Sequence, residues 1–223
     1  MASAVAHEAH DTHEHTHYTS TGLENRKVAI WAFIGSECML FASLISTYLI
    51  YKGKSVVGPF PHTPWTAPDG HVFVPILDIP VTSQSTFVLL MSSLAMVLAL
   101  AAVENRGKPG YVGTLLGNSK LWLASTAALG ATFLCYQGYE FTSFVHKGLT
   151  IHTNLFGSTF FTLTGFHGAH VFGGAVGLTI LLARSLGGQF SARNHIAVEA
   201  ISMYWHFVDV VWIALFTTLY FLR

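Results

Sequence analysis

Five uninterrupted apolar stretches, each about the length that crosses a bilayer, constrain this chain more than any other feature. They run at about 28–51, 81–103, 120–141, 155–183 and 196–222, against the roughly 20 residues a helix needs to span a hydrocarbon core about 30 Å thick. Backbone in lipid must satisfy its own polar groups, so such stretches are helices. Only 10% of the 223 residues are charged, where a soluble domain carries about 25%. The fold class that follows is an all-α integral membrane protein, a bundle of five transmembrane helices. A formal charge of zero removes the electrostatic basis for nucleic acid as a partner. Cys38 and Cys135 sit in apolar runs without CxxC spacing, which indicates neither a disulfide framework nor a thiolate metal site.

The segments between the runs set the topology. Residues 1–25 hold five of the 13 histidines and almost nothing to build a core, which predicts a disordered tail ahead of a membrane domain at 26–223. His13, His15 and His17 form an HxHxH pattern that suits a transition metal, but nothing fixes its geometry, so no metal site is assigned. The connection 52–80 carries Pro59, Pro61, Pro64, Pro68 and Pro75, with Pro80 at its edge, and reads as a long extramembrane loop. The other connections are short, so the helices they join should pack as antiparallel neighbours. With the N-terminus inside, seven basic residues (Arg26, Lys27, Arg106, Lys108, Lys120, Arg184, Arg193) face four outside (Lys52, Lys54, Lys147, Arg223). The positive-inside rule then places the N-terminus in the cytoplasm.

Polar residues inside the spans are expensive and mark functional candidates. Glu37 lies about 15 Å along the first helix, near mid-bilayer, where a carboxyl has to be protonated, paired or facing a cleft. Its two readings are a neutral carboxyl hydrogen-bonded between helices and a functional role. In the fourth helix, GFHGAHVFGG (165–174) places His167 and His170 among glycines. Gly165, Ala169, Gly173 and Gly177 recur every four residues as a small-residue ridge suited to close helix contact. His167 falls about 140° and His170 about 80° from the middle of that ridge. The fifth helix reads EAISMYWHFVDVVW, with Glu199, Ser202, His206 and Asp209 within about 80° of one another. That stripe is either an interhelical hydrogen-bond network or the wall of a polar cavity.

A bis-histidine haem could be forced onto His167 and His206, but Trp205 and Phe207 crowd the latter, and no histidine or cysteine–histidine cluster for copper is present. No metal is assigned to this chain. The segments WAFIGSECMLFASLISTYLIY, TSQSTFVLLMSS, YQGYEF, FGSTFFTLTGFHGAHVFGG and EAISMYWHFVDVVW, taken together and in order, resemble subunit III of the haem–copper oxidases in its five-helix bacterial form.

The resemblance covers residues 26–222. It implies an accessory subunit with no catalytic centre or redox cofactor of its own, in the bacterial cytoplasmic membrane, packed directly on oxidase subunit I beside subunit II. Haem and copper would lie in those partners, phospholipid in a cleft of this chain. It implies that Glu37 is the family's carbodiimide-reactive carboxyl and supports proton uptake and turnover stability. It places His167, His170, Tyr204, Trp205, His206 and Asp209 in segments matching the family's motifs. These residues, with Glu199 and Ser202, are then expected to form a buried polar network joining the fourth helix, the fifth helix and Glu37 beside a lipid cleft. The seven-helix relatives have two further N-terminal helices that this chain lacks, which leaves two expectations for its cleft: closed as in the longer forms, or open to bulk lipid or to a neighbouring subunit. The leading expectation is a cytochrome c oxidase of aa3 type. A quinol oxidase, the related accessory protein of nitric oxide reductases and a small proton-coupled transporter are the alternatives. The last is disfavoured because neither an internal repeat nor a proline-broken helix core is found.

Overall fold

The computed structural model describes residues 25–66, 70, 72–73, 75–77, 79–188 and 195–222. The expected histidine-rich tail, with His13, His15 and His17, lies outside them, as do Arg193 and Arg223. Five long helices account for most of the chain: α1 (Asn25–Tyr51), α2 (Ile79–Glu104), α3 (Ser119–His146), α4 (Leu155–Leu186) and α5 (Ile196–Phe216). A π turn, Thr217–Phe221, prolongs α5. Two-residue strands β1 (Trp65–Thr66) and β2 (Val72–Phe73) pair antiparallel in the long loop.

Local chemistry sets the helix ends. Asn154 caps α4 by accepting the Gly157 N–H at 2.7 Å, and its amide also donates to the carbonyls of Val57 and Pro59, both at 3.0 Å. One side chain thus starts a helix and ties the proline-rich loop to it. Gly148, at φ +84°, lets the Leu149 N–H reach back to Phe144 O at 2.9 Å and stops α3. Within the helices, hydroxyls return to their own backbone, as Thr126 does to Trp122 O and Thr164 to Phe160 O. That is how apolar spans tolerate so many Ser and Thr residues.

α1, α2, α4 and α5 with its π turn are each long and apolar enough to cross a membrane. α3, with 28 residues, matches them in length but buries Gln137 and Glu140. The short connections behave as expected: α2 packs on α3, α3 on α4 and α4 on α5. α2 also packs on α5, which closes a ring of four helices, and α1 lies outside it across α4 and α5. The long loop 52–80 permits that displacement from α2. Two indoles of α5 plug the ring. Trp205 is fully buried; a Cβ at Gly130 of α3 would lie 2.6 Å from its ring and one at Gly174 of α4 2.8 Å. Two helical turns on, Trp212 stacks on His167 of α4 and meets Phe133 of α3 edge-on, each with ring centroids 4.9 Å apart.

Candidate functional site

The polar residues resolve into two seams. The first joins α2 to α5. The Trp205 indole N–H donates to Ser92 Oγ at 2.9 Å and that of Trp212 to Thr86 Oγ1 at 2.9 Å. His206 Nδ1 lies 2.6 Å from Ser93 Oγ. At the far end Thr82 is hydrogen-bonded to the Glu140 carboxyl of α3 and lies 3.0 Å from the Tyr220 hydroxyl. Because α2 and α5 are antiparallel, hydroxyls at 82, at 86 and at 92–93 meet partners at 220, at 212 and at 205–206, in reverse order level by level. Each bond removes a polar group from lipid, and each fixes the register of the pair.

The second seam joins α1 to α4 and α5. Glu37 Oε2 lies 3.0 Å from His170 Nε2, with side chains 17% and 16% exposed. His170 Nδ1 is 2.7 Å from Phe166 O, and the Tyr204 hydroxyl donates to His170 O at 2.9 Å. A carbonyl only accepts, so Nδ1 carries a hydrogen. The hydrogen between Nε2 and Glu37 then belongs either to a carboxylic acid facing imidazole or to an imidazolium facing carboxylate. The two forms have the same net charge. A proton can therefore cross this bond in mid-helix without changing the charge held inside the membrane, which is the arrangement a buried proton-handling pair needs.

Other expected members fall elsewhere. Glu199 pairs with Lys27 of α1 at 2.9 Å near one end of the bundle. His206 faces α2 through Ser93, not α4. Ser202 and Asp209 are buried on α5 at 3% exposure, Asp209 beside Ser93 of α2, and neither His167 nitrogen has a hydrogen-bond partner among the described residues. The single network expected around Glu37 is thus divided, and of the α5 side chains Tyr204 is the one tied to the pair's own residues. The cause is rotation: Tyr204 and His206, two residues apart, point about 160° from each other around α5 and so reach α4 and α2 respectively.

The small-residue ridge makes close contact within the chain at one end only. A Cβ at Gly165 meets nothing within 4 Å, and one at Gly173 meets the Tyr204 hydroxyl at an ordinary 3.8 Å. Ala169 and Gly173 are exposed. Gly165 and Ala169 instead line an open hollow with Ile151, Phe161, Thr162 and Phe166. Close approach within the chain occurs at Gly177, where a Cβ would lie 2.9 Å from Ile201, and at Gly168, 2.7 Å from Gln137. The period of four was legible in the sequence, but which of two adjacent glycine rows faces a neighbour depended on Trp205.

Gln137 and Glu140 were missed as polar anchors. Gln137 donates to Thr164 O at 2.8 Å, and Glu140 meets Thr82. The signal was present in YQGYEF, two amide or carboxyl side chains one turn apart in an otherwise apolar run. As for a haem shared by His167 and His206, the first is wedged between Phe133 and Trp212 while the second is bonded to Ser93. Among the described residues no group of three or more His, Cys, Asp or Glu converges as metal ligands.

Comparison with known proteins accounts for this pattern. A family model described as cytochrome c oxidase subunit III matches residues 2–223. The chain is 35% identical over 197 residues to cytochrome c oxidase subunit 3 of Bacillus sp. (strain PS3), covering 88% of this chain and 86% of that one. It is 36% identical over 216 residues to cytochrome c oxidase subunit 3 of Synechocystis sp., 96% of this chain and 80% of the relative. Cytochrome bo(3) ubiquinol oxidase subunit 3 of Pseudomonas aeruginosa is 32% identical over 217 residues, 97% and 93% of the two chains. With its length matched almost end to end and its helices of membrane-spanning length, the chain belongs to the cytochrome c oxidase subunit III family.

Proposed function

We propose that this chain is the accessory, cofactor-free subunit of a proton-pumping aa3-type oxidase that takes electrons from cytochrome c in a bacterial cytoplasmic membrane, its N-terminus on the cytoplasmic side. The observation that carries the reading is the 35–36% identity to cytochrome c oxidase subunits over nearly the whole chain. In this reading subunits I and II hold haem and copper, and this chain packs directly on subunit I. The Glu37–His170 pair, half way along α1 and α4 and open to the outer face of the bundle, serves proton uptake. Lipid fills the outer face of α1 and the hollow beside Gly165 and Ala169, where apolar side chains such as Met39 and Phe166 stand exposed. A quinol donor is the second reading, favoured by the 32% identity and 97% coverage of the ubiquinol oxidase subunit.

The complex captured through a tag on this chain tests both. Oxygen uptake with reduced cytochrome c alone supports the first reading, and uptake with quinol alone moves the chain to the second. A chain that purifies without haem-bearing partners overturns both. Glu37→Ala in the same complex is expected to leave haem spectra unchanged and to speed the loss of activity during turnover. Loss of haem from the complex would make Glu37 an assembly residue.

A further inference from the structure

We propose that the hollow where the loop 52–80 folds over the adjoining ends of α1 and α4 binds the ring of a membrane quinone, with its hydrocarbon tail along the groove between those helices. The tail occupies the hollow beside Gly165 and Ala169, and that placement rests on the lipid-filled face read above.

The loop hollow measures about 240 Å³. An apolar cavity of about 150 Å³ takes a benzene ring, so a substituted six-membered ring fits. Phe60, Pro61 and Phe156 give it apolar walls, and Tyr48 stands edge-on to Phe156 with ring centroids 6.5 Å apart. Backbone contacts hold its shape: Ser55 Oγ accepts the Phe156 N–H at 3.0 Å, and Asn154 holds the carbonyls of Val57 and Pro59. Tyr48 lines the hollow and is only 2% exposed, yet its hydroxyl makes no hydrogen bond to any described residue. A buried phenol ordinarily has a partner. Here the hydroxyl is a donor waiting for a carbonyl of a ligand, and Lys52 gives the lining a second donor.

The groove beyond decides what kind of ligand brings that carbonyl. Thr159 lines both the loop hollow and a notch of about 180 Å³ beside Leu44 of α1, and Thr162 lines both that notch and the open hollow of Gly165 and Ala169. The path from Thr159 to Ala169 runs about 15 Å along α4. Thr47, Ser158 and Thr159 give their hydroxyl protons to carbonyls one turn back, so the notch offers a ligand mainly hydrocarbon surface. An aromatic hollow with a phenol donor, continued by an apolar groove, matches a neutral ring that bears carbonyl acceptors and a long tail. A phospholipid headgroup would instead bring an ionised phosphodiester among ring faces, which is costly.

The test is photolabelling of the intact oxidase complex in detergent with an azido-benzoquinone carrying a decyl tail. Label is expected in the peptides that hold Tyr48 and Phe156, and unlabelled decyl benzoquinone is expected to compete it away. Tyr48→Phe keeps the ring and removes the donor, and apparent affinity for the quinone is expected to fall about 5-fold. Thr162→Phe, which obstructs the groove past the notch, is expected to weaken the decyl quinone more than one without a tail. Co-purification of each variant with the complex at the wild-type level checks assembly. Label absent from both peptides, labelling indifferent to Tyr48→Phe, or displacement of the label by phosphatidylglycerol would each overturn the quinone site. The last outcome leaves the lipid-filled face standing with a phospholipid in it.

Discussion

The α2–α5 seam and the α1–α4 seam are built from the same materials, a histidine and a few hydroxyls or carboxyls between apolar helices, yet they do different work. In the first, indole N–H groups and hydroxyls of complementary capacity meet inside a closed ring, and Trp205 touches three neighbouring helices. In the second, two ionisable side chains share one hydrogen on the rim of the bundle, and α1 buries only Phe41 and Tyr48. The first set of bonds lies inside the ring; the second lies on a helix that buries few side chains against the bundle. The two seams are therefore separable by mutation.

The largest break is Trp205→Ala. Emptying the site between Gly130 and Gly174 is expected to cost about 3–5 kcal/mol, read as loss of this chain from the complex on heating in detergent. Survival at the wild-type temperature would show that the ring does not depend on its plug. Gly174→Val drives a side chain into the same indole and is expected to cost about 1–3 kcal/mol. Gly165→Val, one step outside the seam, leaves the fold of the chain intact; if it nevertheless releases the chain from its complex, the exposed ridge is a contact with a neighbouring subunit. Ser93→Ala and His206→Ala are each expected to lower thermal retention by about 1 kcal/mol, with a coupling near 0.6 kcal/mol in the double mutant. Additive effects would dissolve the bond between them. Smallest in stability is Glu37→Gln, expected to stay within about 0.5 kcal/mol of the wild type while abolishing carbodiimide labelling of α1. Persistent labelling there would remove Glu37 from the proton site.

Much of the architecture was readable in advance. The α1 and α4 starts fall within three residues of the expected ones, because a span-length apolar run in a chain with few charges admits little besides a helix. Glu37 and His170 were both singled out, since ionisable groups in such a run are conspicuous. Their pairing was not legible, because α1 and α4 are separated by two helices and the choice of partner rests on how far the loop 52–80 lets α1 swing. The stripe on α5 failed for a related reason. Helical periodicity gives the angle between Glu199, Ser202, His206 and Asp209 but not what stands opposite each, and in a ring of helices a few tens of degrees change the neighbour from α2 to α4.

The sequence by itself determined the number of long helices, the loop that sets α1 apart and the residue types that lipid makes costly. These are properties of one segment against a uniform solvent, and hydrophobicity along the chain is enough to decide them. Only the tertiary structure decided which glycines accept Trp205, that His206 answers to Ser93, and that Glu37 meets His170. Those outcomes depend on relative rotation and depth of helices distant in sequence, which close packing fixes through shape and through the need to pair each buried polar atom.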